Sequence, residues 1–242
     1  MRRAARPVVA GVVTAAMGAA LFGGCLVRTL TGYGSATVSS AGMEPAYGPG
    51  DRLVYERIDG DTDGAGDTEG AGGAGGGLRR GDVVLVLAPE RYGPLPVVSR
   101  VVGVGGERVA CCGAEGGAKD GAERVTVDGR ELAEPYVKDG IAHGGGLPPY
   151  EVTVPGGRVF LLGDHRENAR DSRAFLDDRG GTLPVDAVRG RIVPASALAG
   201  LLGGMLAGLV PALAGAGLWI AGAVARRRAA PVATPSEWAA LL

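Results

Sequence analysis

The sequence predicts a mostly β protein, in which an antiparallel, β-rich domain lies between an N-terminal and a C-terminal transmembrane helix. Two observations predict the helices. Residues 7–27 and 195–225 contain no charged side chain, and each run is long enough to cross the ~30 Å hydrocarbon core of a bilayer. A third observation predicts the domain, since short segments rich in Val, Ile and Leu, separated by turn signals, fill the chain between the two runs.

Arginine flanks both apolar runs on their outer sides. Arg2, Arg3 and Arg6 precede the first run, and three arginines beginning at Arg226 follow the second. Positive charge favours the cytoplasmic side of a membrane helix. We therefore predict a multi-pass protein of the cell membrane with both termini in the cytoplasm and the domain outside it. The predicted parts are a cytoplasmic stub with the first helix (1–28), an extracytoplasmic domain (29–194), the second helix (195–225) and a cytoplasmic tail (226–242).

Both apolar runs have other interpretations. The first could be a signal peptide that is removed, or a lipoprotein signal ending at Cys25, because small residues precede that cysteine. The second could be a buried core helix, although its length and its arginine flank favour a membrane helix. Gly200, Gly204 and Gly208 are four residues apart, which would place a smooth strip on one face where another helix can approach closely.

The chain between the helices contains one segment that cannot form a core. Residues 59–77 are acidic and rich in Gly, so we predict a flexible surface loop there. Around it the segments have the composition of strands, and Asp128-Gly129 predicts a hairpin turn. The predicted strands are 52–58, 82–88, 96–104, 124–127, 150–154, 158–162 and 188–193.

Composition excludes some classes of function. The formal net charge is −1, which gives no reason to expect a nucleic-acid partner, and the sequence predicts neither a metal site nor another cofactor. Cys111 and Cys112 are adjacent, and a bond between neighbours is strained. Two free or weakly paired thiols are therefore expected, and three cysteines cannot form a disulfide framework.

Four blocks of sequence carry a resemblance to a known family. Together, and in this order, they resemble the bacterial type I signal peptidases, and the similarity extends over most of residues 8–194. The fourth block is the most specific of them. The blocks are SSAGMEP with GPGDRLVYERI, then GDVVLVL, VVSRVVGVGGERV and FLLGDHRENARDSRAF, at 39–58, 81–87, 97–109 and 160–175.

The resemblance implies a β-rich outer domain that rests on the membrane and cuts signal peptides from exported proteins after small residues. It also implies a Ser/Lys pair. In such a pair a Lys whose pKa is lowered by burial takes the proton of a serine, which then attacks the scissile carbonyl. A backbone N–H and a nearby serine hydroxyl hold the oxyanion.

The residues that would do this chemistry are replaced in this chain. The family's nucleophile precedes the Met of Met-x-Pro, where this sequence has Gly42. The family's Lys corresponds to Ser99, whose hydroxyl is a poor general base. The serine that hydrogen-bonds that Lys corresponds to Ala169. Three losses in one mechanism predict that catalysis is no longer performed.

Other positions of the family pattern are matched. Ser40 corresponds to the oxyanion hydroxyl, and Gly42 still supplies a backbone N–H. Charges of the fourth block must be paired if they are buried together, because removing one partner can cost about 3–5 kcal/mol. The resemblance assigns a structural frame to Met43, Pro45, Gly163, Asp164, Arg166, Asp171, Ser172 and Arg173.

The leading hypothesis is a membrane-anchored signal peptidase homologue that does not cut. It could bind signal peptides or exported preproteins, and it could pair with an active signal peptidase in the bilayer. An alternative is an active signal-peptide-processing endopeptidase with a relocated nucleophile, Ser39 or Ser40. Its base would then be His165, Lys138 or His143.

A third hypothesis is a non-catalytic membrane scaffold. The groove beside Gly42 separates it from the first hypothesis, because an extended peptide needs an open groove with side-chain pockets. A groove filled by Tyr47, Tyr92 or the 59–77 loop would favour the scaffold.

Overall fold

The computed structural model describes residues 6–58, 77–112, 123–144 and 146–228. Nearly all of the predicted 59–77 loop, and the predicted tail beyond residue 228, lie outside the described residues. The chain forms two compact units. The helical unit comprises Met1–Thr31 and Pro194–Leu242, and the β unit comprises Gly32–Val193.

The described residues form three α-helices, which are α1 (Arg6–Gly32), α2 (Pro89–Tyr92) and α3 (Ala195–Arg228). The helical unit contains α1 and α3. Their apolar spans, Val9–Gly32 and Leu198–Arg228, have mean hydropathies of 1.9 and 1.8, and only 11% of each is buried. Both helices are long and apolar enough to cross a membrane, so the two predicted apolar helices are confirmed.

Small residues allow the two helices of this unit to approach closely. A Cβ added to Gly208 would lie 2.5 Å from the backbone nitrogen of Phe22, and one added to Gly204 would lie 3.5 Å from the Sγ of Cys25. Gly200 has nothing within 4 Å. The predicted glycine strip therefore forms a helix contact at two of its three positions.

The β unit is built from antiparallel strands in two sheets. Among the described residues, a seven-stranded sheet has the order β1-β2-β11-β3-β4-β9-β10, and a four-stranded sheet has the order β7-β6-β5-β8. Together with the two apolar helices, these sheets confirm the predicted fold class. The strands are β1 (Tyr33–Thr37), β2 (Arg52–Arg57), β3 (Val83–Val86), β4 (Val97–Val104), β5 (Arg108–Cys111), β6 (Val125–Val127), β7 (Arg130–Glu131), β8 (Tyr150–Thr153), β9 (Arg158–Leu162), β10 (Leu183–Pro184) and β11 (Val188–Ile192).

Each predicted strand contains an observed strand. The seven predicted segments lack β1, β5, β7 and β10, which are short or lack the Val-rich pattern, although the predicted hairpin implies a strand at β7. The predicted hairpin is confirmed. Val127 of β6 pairs with Arg130 of β7, and Asp128 and Gly129 between them have φ of 51° and 74°, as a two-residue type I′ turn requires.

Strand β9 is buried on both of its faces, and its last three residues begin the fourth sequence block. Val159 and Leu161 belong to one apolar core, whereas Phe160 and Leu162 belong to a second. Because successive side chains of a strand point to opposite faces, both faces must be apolar, which explains the unbroken apolar run. This strand therefore fixes the position of Gly163, the residue that follows it.

The expectation of free or weakly paired cysteines is wrong. Cys111, the last residue of β5, forms a disulfide with Cys112. Cys112 has a left-handed φ of 67°, which interrupts the strand alternation directly after Cys111. The two side chains are then no longer directed to opposite faces of the sheet, and their sulfurs can meet. Cys25 of α1 is a free thiol.

Candidate active site

Two loops of the β unit meet at the predicted site. The 3₁₀ turn Ala41–Met43 carries the Met-x-Pro segment, and the second loop begins at Gly163, after β9. The backbone N–H of His165 donates to the carbonyl of Gly42 at 3.0 Å. A Cβ added to Gly163 would lie 2.5 Å from that carbonyl oxygen, so glycine is needed there for the loops to approach this closely.

Gly42, in contrast, has room for a side chain. A Cβ added to Gly42 would lie 3.5 Å from the Cα of Ala169 and 3.7 Å from the Oγ of Ser40, which are ordinary van der Waals distances. Its φ lies outside the left-handed region that favours glycine. Neither packing nor backbone geometry therefore requires glycine at position 42, and a serine would fit there.

Ser99 adjoins the same site from the sheet. It lies on β4 opposite Val84 and is 6% exposed. With Ser40, Gly42 and Ala169 it lines a pocket of about 180 Å³. The fold thus brings together the three positions where the sequence predicts lost catalytic groups and the serine predicted to hold the oxyanion. The other lining residues are Tyr92, Val97, Val98, Gly163, Asn168, Arg170 and Asp171.

The first part of the charged frame is a pair between Asp164 and Arg100. Asp164 is fully buried and accepts two hydrogen bonds from the guanidinium, 2.8 Å from Nε to Oδ1 and 2.5 Å from Nη2 to Oδ2. Arg100 also stacks over the ring of Tyr136 at 3.9 Å. Burial opposes the charged form of Arg100, but the hydrogen bond and the charge of Asp164 raise its pKa above the ordinary value.

The second part of the frame is the guanidinium of Arg166, which is almost fully buried. It forms an ion pair with the carboxylate of Glu134 and donates from Nε to the carbonyl of Gly163 at 2.9 Å. It also donates to the carbonyl of Ala142. Burial disfavours the charged form of Arg166, yet the charge of Glu134 raises its pKa overall. One side chain thereby ties three loop segments together.

The third part of the frame is a pair between Asp171 and Arg173, both buried. Two hydrogen bonds join them, 2.8 Å from Nε to Oδ1 and 2.7 Å from Nη2 to Oδ2. Asp171 also accepts from the backbone N–H of Gly163 at 3.1 Å, which holds the glycine that contacts Gly42. The four charged residues assigned to the frame are therefore buried and paired, as their burial demands.

The remaining frame residues are apolar or neutral. Met43 is buried in an apolar core with Val38 and Leu85. Ser172 is fully buried, and its hydroxyl accepts the backbone N–H of Leu161 at 3.0 Å. Pro45 differs from the others because it is exposed, and it follows a cis peptide bond.

Lys138, a candidate base for a relocated mechanism, is held in an ion pair. Its Nζ lies 2.7 Å from Oε2 of Glu44. The hydrogen bond and charge of Lys138 lower the pKa of Glu44, and the hydrogen bond to Glu44 raises the pKa of Lys138. The charged ammonium is therefore favoured, which is the reverse of what a general base needs.

His165 lies beside the Met-x-Pro turn. Its Nδ1 is 3.2 Å from the carbonyl oxygen of Ala41 and 3.8 Å from Oε2 of Glu44. A carbonyl oxygen only accepts, so Nδ1 carries the proton of that hydrogen bond. Among the described residues, no hydrogen bond joins His165 to the hydroxyl of Ser39 or Ser40. The hydrogen bonds of His165 in the described structure therefore run to the Met-x-Pro turn and not to the proposed nucleophiles.

His143 lies apart from the pocket. It is 6% exposed, its Nε2 is 2.6 Å from the carbonyl oxygen of Leu147, and its ring is 5.9 Å from that of Tyr150. Neither His143 nor Lys138 is among the described residues that line the pocket.

Of the two tyrosines that could fill the groove, Tyr92 lines the described part of the pocket and Tyr47 does not. Its ring meets the edge of Phe175 with centroids 5.7 Å apart, and burial, with the charge of Asp171, raises its pKa to about 12. Tyr47 instead packs against the core that contains Met43. With Tyr92 in its wall, the described part of the pocket still holds about 180 Å³, and the 59–77 loop, the third candidate to fill the groove, lies almost wholly outside the described residues.

Sequence reasoning missed the partners of the frame, Arg100 and Glu134. A signal for Arg100 exists, since it neighbours Ser99 on a strand and must face the opposite side. Glu134 lies in a loop after β7, and its pairing with Arg166 depends on the tertiary fold, so no local pattern could indicate it.

Comparisons with known proteins agree with the resemblance. The family model for signal peptidase, peptidase S26, matches residues 9–195. A signal peptidase I of Mycobacterium tuberculosis (strain ATCC 25618 / H37Rv) is 36% identical over 110 residues, which are 39% of this chain and 34% of that protein. The chain therefore matches about a third of the length of this relative.

Two further proteins are similar over more of their own length. A signal peptidase IB of Staphylococcus aureus (strain N315) is 27% identical over 170 residues, which are 64% of this chain and 73% of that protein. A crystal structure of a signal peptidase I from Enterococcus faecalis V583 is 23% identical and has a TM-score of 0.35, over 48% of this chain and 97% of that one.

The Met-x-Pro turn, the buried frame of paired charges and the two candidate membrane spans are features that the resemblance to the type I signal peptidases implied. The family match over residues 9–195 makes the class specific. The chain belongs to the signal peptidase family, peptidase S26. Signal-peptide processing is the activity of that family.

Proposed function

We propose that this chain is a membrane-anchored signal peptidase homologue that binds signal peptides or exported preproteins and does not cut them. One observation carries the proposal. Gly42, Ser99 and Ala169 still line a formed pocket. They stand where the family pattern has its nucleophile, its base and its positioning serine, and they supply neither a nucleophile nor a base for the reaction.

Nearby groups do not replace the lost chemistry. A general base must lie within ~3 Å of the hydroxyl that it deprotonates. Lys138 is kept charged by Glu44, and the hydrogen bonds of His165 run to the turn backbone. These arrangements argue against Ser39 or Ser40 as a relocated nucleophile.

The pocket is suited to part of an extended chain. Its walls combine apolar side chains, Val97 and Val98, with the hydroxyl of Ser40 and the backbone at Gly42. Strand-like recognition uses backbone hydrogen bonds together with small side-chain pockets, and a volume of about 180 Å³ admits a small side chain. A peptide therefore has a place to bind even though no reaction follows.

The topology is part of the proposal. Arginines outside both apolar spans favour cytoplasmic termini, which would put the β unit on the outer side, where signal peptides are presented. Single cysteines introduced at residues 4 and 232 of a Cys25→Ser chain should resist an impermeant thiol reagent added from outside, whereas one at residue 65 should react. Labelling at residue 232 would contradict this topology.

A reconstitution of the missing groups tests the function. The full chain in detergent is given a precursor with small residues before its cleavage site, and binding and cleavage are both measured. The unmodified chain should bind without cleavage, and Gly42→Ser or Ser99→Lys alone should stay silent. Gly42→Ser with Ser99→Lys and Ala169→Ser should cut slowly, because burial in the pocket would lower the pKa of the new lysine.

The control for the triple variant replaces Gly42 with Ala, which fills the same space without a hydroxyl and should abolish the recovered cleavage. Cleavage by the unmodified chain that Ser40→Ala or His165→Ala removes would establish the relocated nucleophile instead. A chain that neither binds the precursor nor gains cleavage would be a scaffold, and the proposal would be wrong.

A further inference from the structure

A second cluster of reactive side chains lies in the β unit, among residues that do not line the pocket beside Gly42. The two sulfurs of Cys111 and Cys112 and a ring nitrogen of His143 lie within 4.8 Å of one another. Cys111 ends β5, and its backbone pairs with Tyr150 of β8. His143 belongs to the loop that precedes β8. The sheet therefore brings two distant segments of the chain to one point.

The hydrogen bonding of the His143 imidazole is that of a histidine that binds a metal ion. Nε2 lies 2.6 Å from the carbonyl oxygen of Leu147, and because that oxygen only accepts, Nε2 carries the proton. Nδ1 then has a lone pair, and it is buried without a hydrogen-bond partner among the described residues. Histidines that bind metals usually donate their second ring N–H to a carbonyl or carboxylate in this way.

The surroundings of His143 are fixed by polar contacts that do not involve the cysteines. The carbonyl of His143 accepts from the guanidinium of Arg173, a residue of the charged frame. The hydroxyl of Tyr150, whose ring lies 5.9 Å from the imidazole, is likewise buried without a partner in the described structure. Two buried polar atoms without partners, one of them on the histidine beside the sulfurs, are unusual in an apolar core and call for an explanation.

We propose that Cys111, Cys112 and His143 form a site for a thiophilic divalent cation, Zn²⁺, which the disulfide closes and reduction opens. A dithiol reductant supplies two electrons and two protons, so that the S–S bond becomes two thiols and the reductant becomes a disulfide. Zn²⁺ then displaces the two thiol protons and binds two thiolates and Nδ1. Because Cys112 is only half-buried, a reductant can reach its sulfur.

The spacing suits this cation. Tetrahedral Zn²⁺ with bonds of about 2.3 Å to sulfur and 2.0 Å to nitrogen needs its ligand atoms about 3.5–3.8 Å apart. The two sulfurs and one ring nitrogen of His143 already lie within 4.8 Å of one another, which is close to this spacing. A fourth ligand would be water, which can enter beside Cys112 since this residue is not fully buried. The site differs from the sequence expectation of no metal.

The test compares the oxidised and the reduced full chain in detergent, with a phosphine reductant that does not itself bind the metal tightly. Co²⁺ serves as the spectroscopic probe, and Zn²⁺ is used in competition. The reduced chain should bind one Co²⁺ with sulfur-to-cobalt charge-transfer absorption, which Zn²⁺ abolishes, and the oxidised chain should show none. A reduced, folded chain without this absorption, or equal absorption in both forms, would overturn the proposal.

Variants identify the ligands. His143→Gln in the reduced chain should weaken Co²⁺ binding at least tenfold, and Cys112→Ser should remove most of the charge-transfer absorption. Cys25→Ser, which removes the free thiol of α1, is the matched control and should change neither. Binding that Cys25→Ser abolishes, or that His143→Gln leaves unchanged, would show that the cluster is not the site. Melting curves of each chain establish that it is folded.

Discussion

The pocket beside Gly42 and the charged frame behind it differ in what they contribute to the molecule. The pocket is lined by Gly42, Ser99 and Ala169, which are small and uncharged, and it has a volume of about 180 Å³. The frame holds Asp164 and Asp171 without exposure to solvent, each in a bidentate pair with an arginine. Packing and pairing therefore constrain the pocket residues loosely and the frame residues tightly.

The difference shows how the fold could persist if the chain, as proposed, no longer cuts peptides. A buried charge that loses its partner is strongly destabilising, so the frame cannot be changed one residue at a time. A serine or lysine in the pocket contributes to catalysis but little to folding, so its replacement leaves the fold intact. Family membership therefore establishes the scaffold, and the activity must be argued from the site itself.

Removal of a frame charge should have the largest effect. Arg166→Met keeps much of the side-chain volume but leaves Glu134 buried without its partner and frees the carbonyl of Gly163. We expect the free energy of unfolding of the β unit to fall by about 3–5 kcal/mol, measured by denaturant titration of the full chain in detergent.

The matched control for this change is Arg108→Met. The Arg108–Glu151 ion pair has side chains that are 53% and 56% exposed, and exposed pairs contribute about 1 kcal/mol or less. Equal losses for Arg166→Met and Arg108→Met would break the distinction between frame and surface.

Two glycines of the site should respond to alanine in different ways. Gly163→Ala would place a Cβ 2.3 Å from that of Ala169 and 2.5 Å from the carbonyl oxygen of Gly42, so the loops must separate, at about 1–3 kcal/mol. Gly42→Ala meets only van der Waals contacts and should change stability by less than about 1 kcal/mol, with a gain possible through the unfolded state.

Thermal unfolding of both variants, with the unmodified chain as reference, tests this pair. A loss at Gly42 as large as that at Gly163 would mean that the pocket is as constrained as the frame. It would also remove the structural basis for the Gly42→Ser experiment.

The strands and the hairpin could be predicted from the sequence because their signals are local. Residues 158–162 are apolar at every position after the first, as a strand buried on two faces requires, and Asp128-Gly129 fits one turn type. The sequence also placed Gly42 and Ser99 at one site, because each adjoins a family motif, and both line the same pocket.

Other features depend on the tertiary fold and could not be predicted. The partner of Arg166 is Glu134, 32 residues earlier in the chain, and no periodicity connects them. The disulfide between Cys111 and Cys112 depends on a left-handed φ at the end of β5, which a rule on adjacent cysteines alone does not foresee. The position of His143 beside them depends on a loop with no regular structure.

The smallest predicted effect lies at the edge of the site, where Glu44 and Lys138 form a half-buried ion pair. The hydrogen bond and charge of Lys138 lower the pKa of Glu44 from 4.5, so this contribution to stability is present above pH 4.5 and is lost as the pH falls through the lowered value. The pKa of Lys138 is raised from 10.5, so its contribution is present below that pH and is lost as the pH rises through the raised value.

Lys138→Gln should therefore lower the melting temperature slightly at neutral pH and not in strong acid, with Glu44→Gln giving the same profile. A difference between Lys138→Gln and the unmodified chain that stays constant into strong acid would show that the pair does not contribute through its charges.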